Sequence, residues 1–338
     1  MKAVYIHGPG DVRVDERPVP ACGERDVLLR IDACGICGSD LSFAKYGFLR
    51  GDGEPWPLGH EAAGTVVGAG AAVEGIKVGQ RVVVNPAAAY DNVIGNGGSE
   101  GAFADYLLIR DARLGQHLLP LSDGVSAERA ALVEPLAVAL HGVNQAGLKA
   151  GEKVVVYGAG PIGLGAVFWL KRRGFSDIVS VDLSDDRLRH ARAMGATHLV
   201  NSSQVDLKAE LIRLHGEEAP MFGASTVGTD VFLDMAGAPS LLEQTIAMGK
   251  FQSRIVLTAV YPLPVALDLQ GLLIREICLT PAVAYPTELH DVLAALEEMS
   301  PDEVAPYISH RFPFSRFEEA FEAAKSPTSA KVMLLFEP

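Results

Sequence analysis

The sequence predicts an α/β protein in two parts, a β-rich region and a doubly wound parallel sheet with helices on both faces. Three observations carry this. A glycine run, Gly158-Ala159-Gly160-Pro161-Ile162-Gly163, joins a short apolar stretch to a helical one. From residue 152 onward strand and helix patterns alternate, whereas the first third holds short β-like runs separated by Gly and Pro. Finally, 338 residues are more than one hydrophobic core usually serves.

The early strands are expected at 2–7, 27–33, 62–68 and 81–85, as an irregular, mostly antiparallel domain. Residues 126–147 change character. Ser126-Ala127-Glu128-Arg129 opens like a helix, and the Ala/Leu/Val-rich continuation to Leu140 stays helical, with Pro135 either kinking it or opening a new helix. Residues 153–157 form a short, almost wholly apolar strand of the kind buried on both faces in a parallel sheet. A helix at 161–173 opens on proline, followed by a strand at 177–181, a helix at 185–194 and a strand at 198–200. Further strands are expected at 230–234, 254–259 and 277–283, then a helix at 288–299 and a last strand at 331–336.

Composition excludes several classes. Hydrophobic residues make up 49 % of the chain, enough for large cores and far from disorder. The net charge is 29 − 42 = −13, which repels nucleic acid. No apolar run approaches the ~20 residues needed to span a bilayer, so no membrane partner is expected. The N-terminus has no signal-peptide architecture, and four cysteines fit a reducing compartment without a disulfide framework. A cytoplasmic protein is the simplest expectation.

The glycine run follows a strand and opens a helix, which is the context of a dinucleotide cradle. Gly158 allows the tight turn, Gly160 lets backbone approach a pyrophosphate, and Gly163 lets helix pack on strand. Pro161 and Ile162 begin the helix, whose free N–H groups face the phosphates. Asp182 ends the next strand, where a carboxylate accepts from both adenosine-ribose hydroxyls and repels a 2′-phosphate. NAD is therefore expected over NADP. Arg187 either steadies the ribose or is a solvated helix charge.

Cys37, in Cys34-Gly35-Ile36-Cys37-Gly38-Ser39-Asp40, precedes Gly59-His60-Glu61. Thiolate, imidazole and carboxylate are the donor set of an open zinc site. The spacing is not that of a finger or ribbon, and no second Cys-x-x-Cys exists to complete four ligands. A histidine in such a turn can equally be structural.

Gly35-Ile36-Cys37-Gly38-Ser39-Asp40, Gly59-His60-Glu61-Ala62-Ala63-Gly64, Glu134-Pro135-Leu136 and the glycine fingerprint, in that order, closely resemble the zinc-dependent medium-chain dehydrogenase/reductase family. The resemblance covers essentially the whole chain. It implies a GroES-like catalytic domain at 1–148 and 285–338 around a Rossmann domain at 149–284, with the active site in the cleft between them. It also implies a zinc- and NAD-dependent oxidation of a secondary alcohol, diol or polyol, or the reverse reduction of a ketone. Cys37 and His60 match the family's zinc ligands, and Glu61 matches the acid beside them. Glu134 falls where classical alcohol dehydrogenases place a Cys ligand, which is similar to the sorbitol, threonine and butanediol dehydrogenase branch. Ser39 matches the hydroxyl that takes the substrate's proton, while Asp40 and Cys34 read as scaffold.

Two departures stand out. The stretch 87–101, where the family normally carries four cysteines for a structural zinc, has none, so one zinc per chain and no structural zinc are expected. A histidine that usually follows the ligand Cys by five residues is Ser42 here, which removes the family's outlet for the proton. Phe43, Tyr46, Phe48, Trp56 and Tyr285 are expected to line the pocket, or else to be ordinary core. The sorbitol branch usually has Arg where this chain has Ala284, which favours a smaller or less hydroxylated substrate. A homodimer or homotetramer is expected, with a small-molecule alcohol or ketone as the other partner. Two rival readings are a catalytically retired nucleotide-binding relative and a metal-independent quinone or enoyl reductase.

Overall fold

The computed structural model describes residues 1–47, 53–89, 91, 93–219 and 224–337. It forms two compact units. One comprises Met1–Glu134, Leu289–Val304 and Ile308–Pro338, the other Pro135–Glu288 and Ala305–Tyr307.

The first unit is organised on the strand Val27–Ile36. Its residues alternate buried and half-buried through Asp32, the period of two of a strand with one face inward. From Ala33 onward every residue is buried, so the strand runs three residues past the expected 27–33. Here it is flanked on both sides by antiparallel partners, Glu61–Ala69 and Lys331–Leu335. The full sheet runs Ile308–Pro313, Lys331–Leu335, Val27–Ile36, Glu61–Ala69, Arg81–Val84, Leu118–Pro120, and Tyr106–Ile109 also pairs with Val27–Ile36. Its ladders are antiparallel except that between Ile308–Pro313 and Lys331–Leu335. A smaller sheet places Lys2–Gly8 between Asp11–Glu16 and Trp56–Pro57. Val4 and Ile6 from it meet Leu29, Ile31, Leu58 and Phe103 in the core.

The second unit holds six strands in the order His198–Asn201, Ile178–Asp182, Val154–Tyr157, Val231–Asp234, Arg254–Leu257, Cys278–Pro281. Every ladder in it is parallel. Val154–Tyr157 is buried throughout, which is why it reads as an unbroken apolar run rather than an alternating one. The chain winds outward from this strand in one direction, then returns to its other side. That reversal is the switch point where a doubly wound sheet opens a crevice at its carboxyl edge, and the glycine turn follows it directly.

Pro135 opens a new helix rather than kinking an old one. A short helix Ala127–Ala130, capped by the Ser126 hydroxyl, gives way to Val133–Gln145, with Pro135 in the first turn where its missing N–H is not needed. The strand expected at 277–283 is only Cys278–Pro281, and Ala284 beyond it has φ 54°. Among the described residues no helix is long and apolar enough to cross a membrane.

Candidate metal centre and nucleotide cradle

The strand Val27–Ile36 ends at Cys37, which stands as N-cap of the helix Gly38–Tyr46. The neighbouring strand Glu61–Ala69 begins one residue after His60, and its register sets Glu61 opposite Gly35. Two backbone events thus bring a thiol, an imidazole and a carboxylate together. One ligand atom from each of Cys37, His60 and Glu61 lies within 4.8 Å of the others. His60 and Glu61 are buried and Cys37 is half-buried.

Glycine makes the approach feasible at two positions. A Cβ on Gly35 would lie 2.0 Å from Glu61 Oε2. Gly59 has φ 92°, and a Cβ there would sit 2.5 Å from the Phe103 backbone nitrogen.

Asp40 ties the two segments. Its carboxylate is fully buried and accepts from the backbone N–H of Cys37 at 2.8 Å and of Gly59 at 3.4 Å. Its Oδ1 also lies 3.5 Å from His60 Nδ1, a buried nitrogen with no well-aligned hydrogen bond. Burial alone would depress the His60 imidazole. The charges of Asp40 and Cys37 outweigh it and hold His60 well above its ordinary pKa. A site that favours a proton this way favours a metal cation for the same reason. The donor set and the orphaned ring nitrogen together fit a zinc ion. Cys34 is different. Burial, then the charges of Asp40 and Glu61, push its thiol far up, so it stays protonated and is no ligand.

Glu134 is buried in the first turn of Val133–Gln145 but is not one of the three clustered donors. The Ser39 hydroxyl oxygen is buried without a hydrogen-bond partner. Of the expected pocket aromatics, Phe43 and Trp56 stack on each other with ring centres 5.3 Å apart and pack against the core. Tyr46 is half-exposed in the last turn of Gly38–Tyr46. Phe48 lies outside the described residues. Tyr285 is buried within the second unit.

Sequence reasoning missed Lys331, which is almost wholly buried and bonded to Glu61. A lone lysine opening the apolar run Val332-Met333-Leu334-Leu335 was the available signal.

In the second unit Gly158 has φ 84°, and a Cβ on Gly163 would fall 1.8 Å from the Gly158 carbonyl oxygen, so the turn admits only glycine at both positions. Gly160 has open space around it and caps the helix Pro161–Arg172, whose first-turn N–H groups are therefore approachable. Ile162 stands in that first turn. Asp182 is held at both oxygens by backbone, from Ala159 N–H at 2.7 Å and Ser184 N–H at 2.9 Å. Arg187 lies in the first turn of Asp185–Met194, where its N–H donates to the Ser184 hydroxyl.

Residues 23–121 match the alcohol dehydrogenase GroES-like domain and residues 161–299 the zinc-binding dehydrogenase domain. Human sorbitol dehydrogenase is 31 % identical over 350 residues, covering 99 % of this chain and 96 % of its own. The 2R,3R-butanediol dehydrogenase of Bacillus subtilis superposes with a TM-score of 0.85 at 30 % identity, covering 100 % and 99 % of the two chains. A zinc-binding dehydrogenase of Sinorhizobium meliloti bound to NADP superposes with a TM-score of 0.84 at 26 % identity, covering 99 % and 98 %. The GroES-like domain, the parallel sheet with its glycine turn and the clustered donors thus have one common explanation: the chain belongs to the zinc-dependent medium-chain dehydrogenase/reductase family, in its sorbitol- and butanediol-dehydrogenase-like branch, and is an alcohol or polyol oxidoreductase working with zinc and a nicotinamide cofactor.

Proposed function

We propose that the chain transfers hydride between NAD and a secondary alcohol, diol or polyol, with Cys37, His60 and Glu61 holding one zinc. The observation that carries this is the clustering of those three donors. Zinc supplies a Lewis acid for the substrate oxygen, and the nicotinamide exchanges the hydride. Glu134 serves the same site from outside the trio. Ser39, with a buried and unpartnered hydroxyl, accepts the substrate proton. Ala284, in place of a longer cationic side chain, suits a small diol or hydroxyketone better than a long polyol. A retired nucleotide-binding protein or a metal-free reductase would have no use for this donor set.

One zinc per chain follows from the stretch 87–101, which has no cysteine. A Cβ on Gly95 would lie 2.0 Å from the Gly59 carbonyl oxygen, and Ala102 N–H donates to that oxygen at 2.8 Å. On this reading 1–148 and 285–338 are the catalytic domain and 149–284 the cofactor domain, in a cytoplasmic enzyme. The assembly is a dimer or tetramer built on Cys278–Pro281, the outermost strand of its sheet. Val260, Leu263, Leu273 and Val283, on the loops and crossover flanking that strand, are all more than two-thirds exposed. Sedimentation at the mass of one chain would remove that reading.

A panel of diols, polyols and hydroxyketones, followed at the nicotinamide absorbance, tests the function. Wild type should turn over a secondary alcohol and carry one zinc. Cys37→Ala should lose both and stay folded, since an open zinc site is catalytic rather than structural. No turnover on the whole panel by zinc-loaded protein would revive the retired reading.

NAD should be preferred over NADP, because Asp182, fixed by two backbone N–H groups, would meet the 2′ position of a bound adenosine ribose. Asp182→Ala should narrow the gap chiefly by improving NADP binding. A wild-type kcat/KM equal or better with NADP would sink the assignment.

Ser42 is exposed one turn after Ser39 on the same helix. It offers the proton a route to water but no group that titrates near neutrality. Oxidation should therefore rise into the alkaline range, and Ser42→His should move the rise toward neutral pH. An unchanged profile at full zinc content would place residue 42 off the proton path.

A further inference from the structure

Lys331 opens the strand Lys331–Leu335 and is 1 % exposed. Its Nζ donates to both carboxylate oxygens of Glu61 at 2.5 Å and to the Ile36 carbonyl at 3.0 Å. An ammonium has three N–H groups, and all three are used. With two of those N–H groups on a carboxylate and the third on a carbonyl, Lys331 stands as an ammonium inside the metal cluster. The room for it is built in, since a Cβ on Gly35 would lie 3.2 Å from Lys331 Cδ as well as colliding with Glu61.

Glu61 therefore faces two claims. One is Lys331, and the other is the metal position it shares with Cys37 and His60. A buried carboxylate left without either would be strongly destabilising. Resting on the zinc reading above, we propose that Lys331 is a stand-in cation that competes with the metal for Glu61. It neutralises that carboxylate when the metal is away and cedes part of it when the metal arrives. The unloaded chain then keeps its fold, and zinc binds less tightly than it would to a waiting, unpaired Glu61. Lys331 is a positioning residue, touching neither substrate nor cofactor.

The test compares wild type, Lys331→Arg, Lys331→Met and the double variant Lys331→Met/Glu61→Gln. Each is melted with zinc and after chelation, and zinc affinity is read by competition with a chromophoric chelator. In Lys331→Met the chelated form should melt far below chelated wild type. Its zinc-loaded form should stay near loaded wild type, and its zinc Kd should fall by about tenfold or more. Lys331→Arg should follow wild type. The double variant, with both charges gone, should regain the melting point of the chelated wild type. A Lys331→Met chain whose loaded and chelated forms drop equally would reduce Lys331 to a packing residue and overturn the inference. So would one that fails to fold even in zinc, or one whose zinc Kd is unchanged or higher. If zinc raises the melting point of no variant, wild type included, the metal reading itself fails and takes this inference with it.

Discussion

The site depends on one register. Antiparallel pairing sets Gly35 against Glu61 and Cys34 against Ala62, so the end of one strand and the start of the other deliver Cys37, His60 and Glu61 to the same place. In a strand pair the side chains alternate faces, and a slip of one residue would send Glu61 to the opposite side. The register is protected by crowding. Gly35 leaves no space for a side chain beneath Glu61, and Gly59 turns with positive φ against Phe103. Lys331 adds a third strand to the lock, because its ammonium bonds the backbone of one ligand-bearing strand and the side chain of the other.

The nucleotide cradle rests on a different principle. On the proposed reading a metal would be held by side chains whose positions a sheet must dictate, whereas phosphates would be held by backbone N–H groups at a helix start. What the sequence must supply there is mostly the absence of side chains, at Gly158, Gly160 and Gly163. Asp182 is the exception, and it is itself fixed by the backbone of Ala159 and Ser184. The second unit therefore needs only short strands and a correct turn to present its ligand surface.

This difference explains what could be read from sequence. The parallel strands were legible because burial on both faces makes each a continuous apolar run, as Val154–Tyr157 is. The glycine turn was legible because its context is local. The helix Gly38–Tyr46 was not anticipated, since Gly38, Ser39 and Asp40 are poor helix interiors and it is Asp40 that secures the start by accepting from Cys37 N–H. Asp40 read as scaffold, yet its carboxylate also lies 3.5 Å from His60 Nδ1, a relation between residues on separate segments that spacing does not encode. The pairing of Lys331 with Glu61 was hidden for the same reason at greater range, as the two lie 270 positions apart. Residue types disclosed the chemistry, and the third dimension was needed to say which of Glu61 and Glu134 stands with Cys37 and His60.

The electrostatics of the cluster follow from that answer. Asp40, Glu61 and Glu134 bring carboxyl groups, and Cys37 a half-buried thiol, to one region, and Lys331 is the lysine set among them. Carboxylate donors make a bound metal harder than thiolates would, which suits an oxygen substrate. They also donate charge that blunts its electrophilicity, and an ammonium bonded to Glu61 withdraws part of that charge again. A buried cation beside such carboxylates thus helps the site remain a useful Lewis acid. On this argument Lys331 belongs to the metal shell as much as the donors do, although it touches no metal.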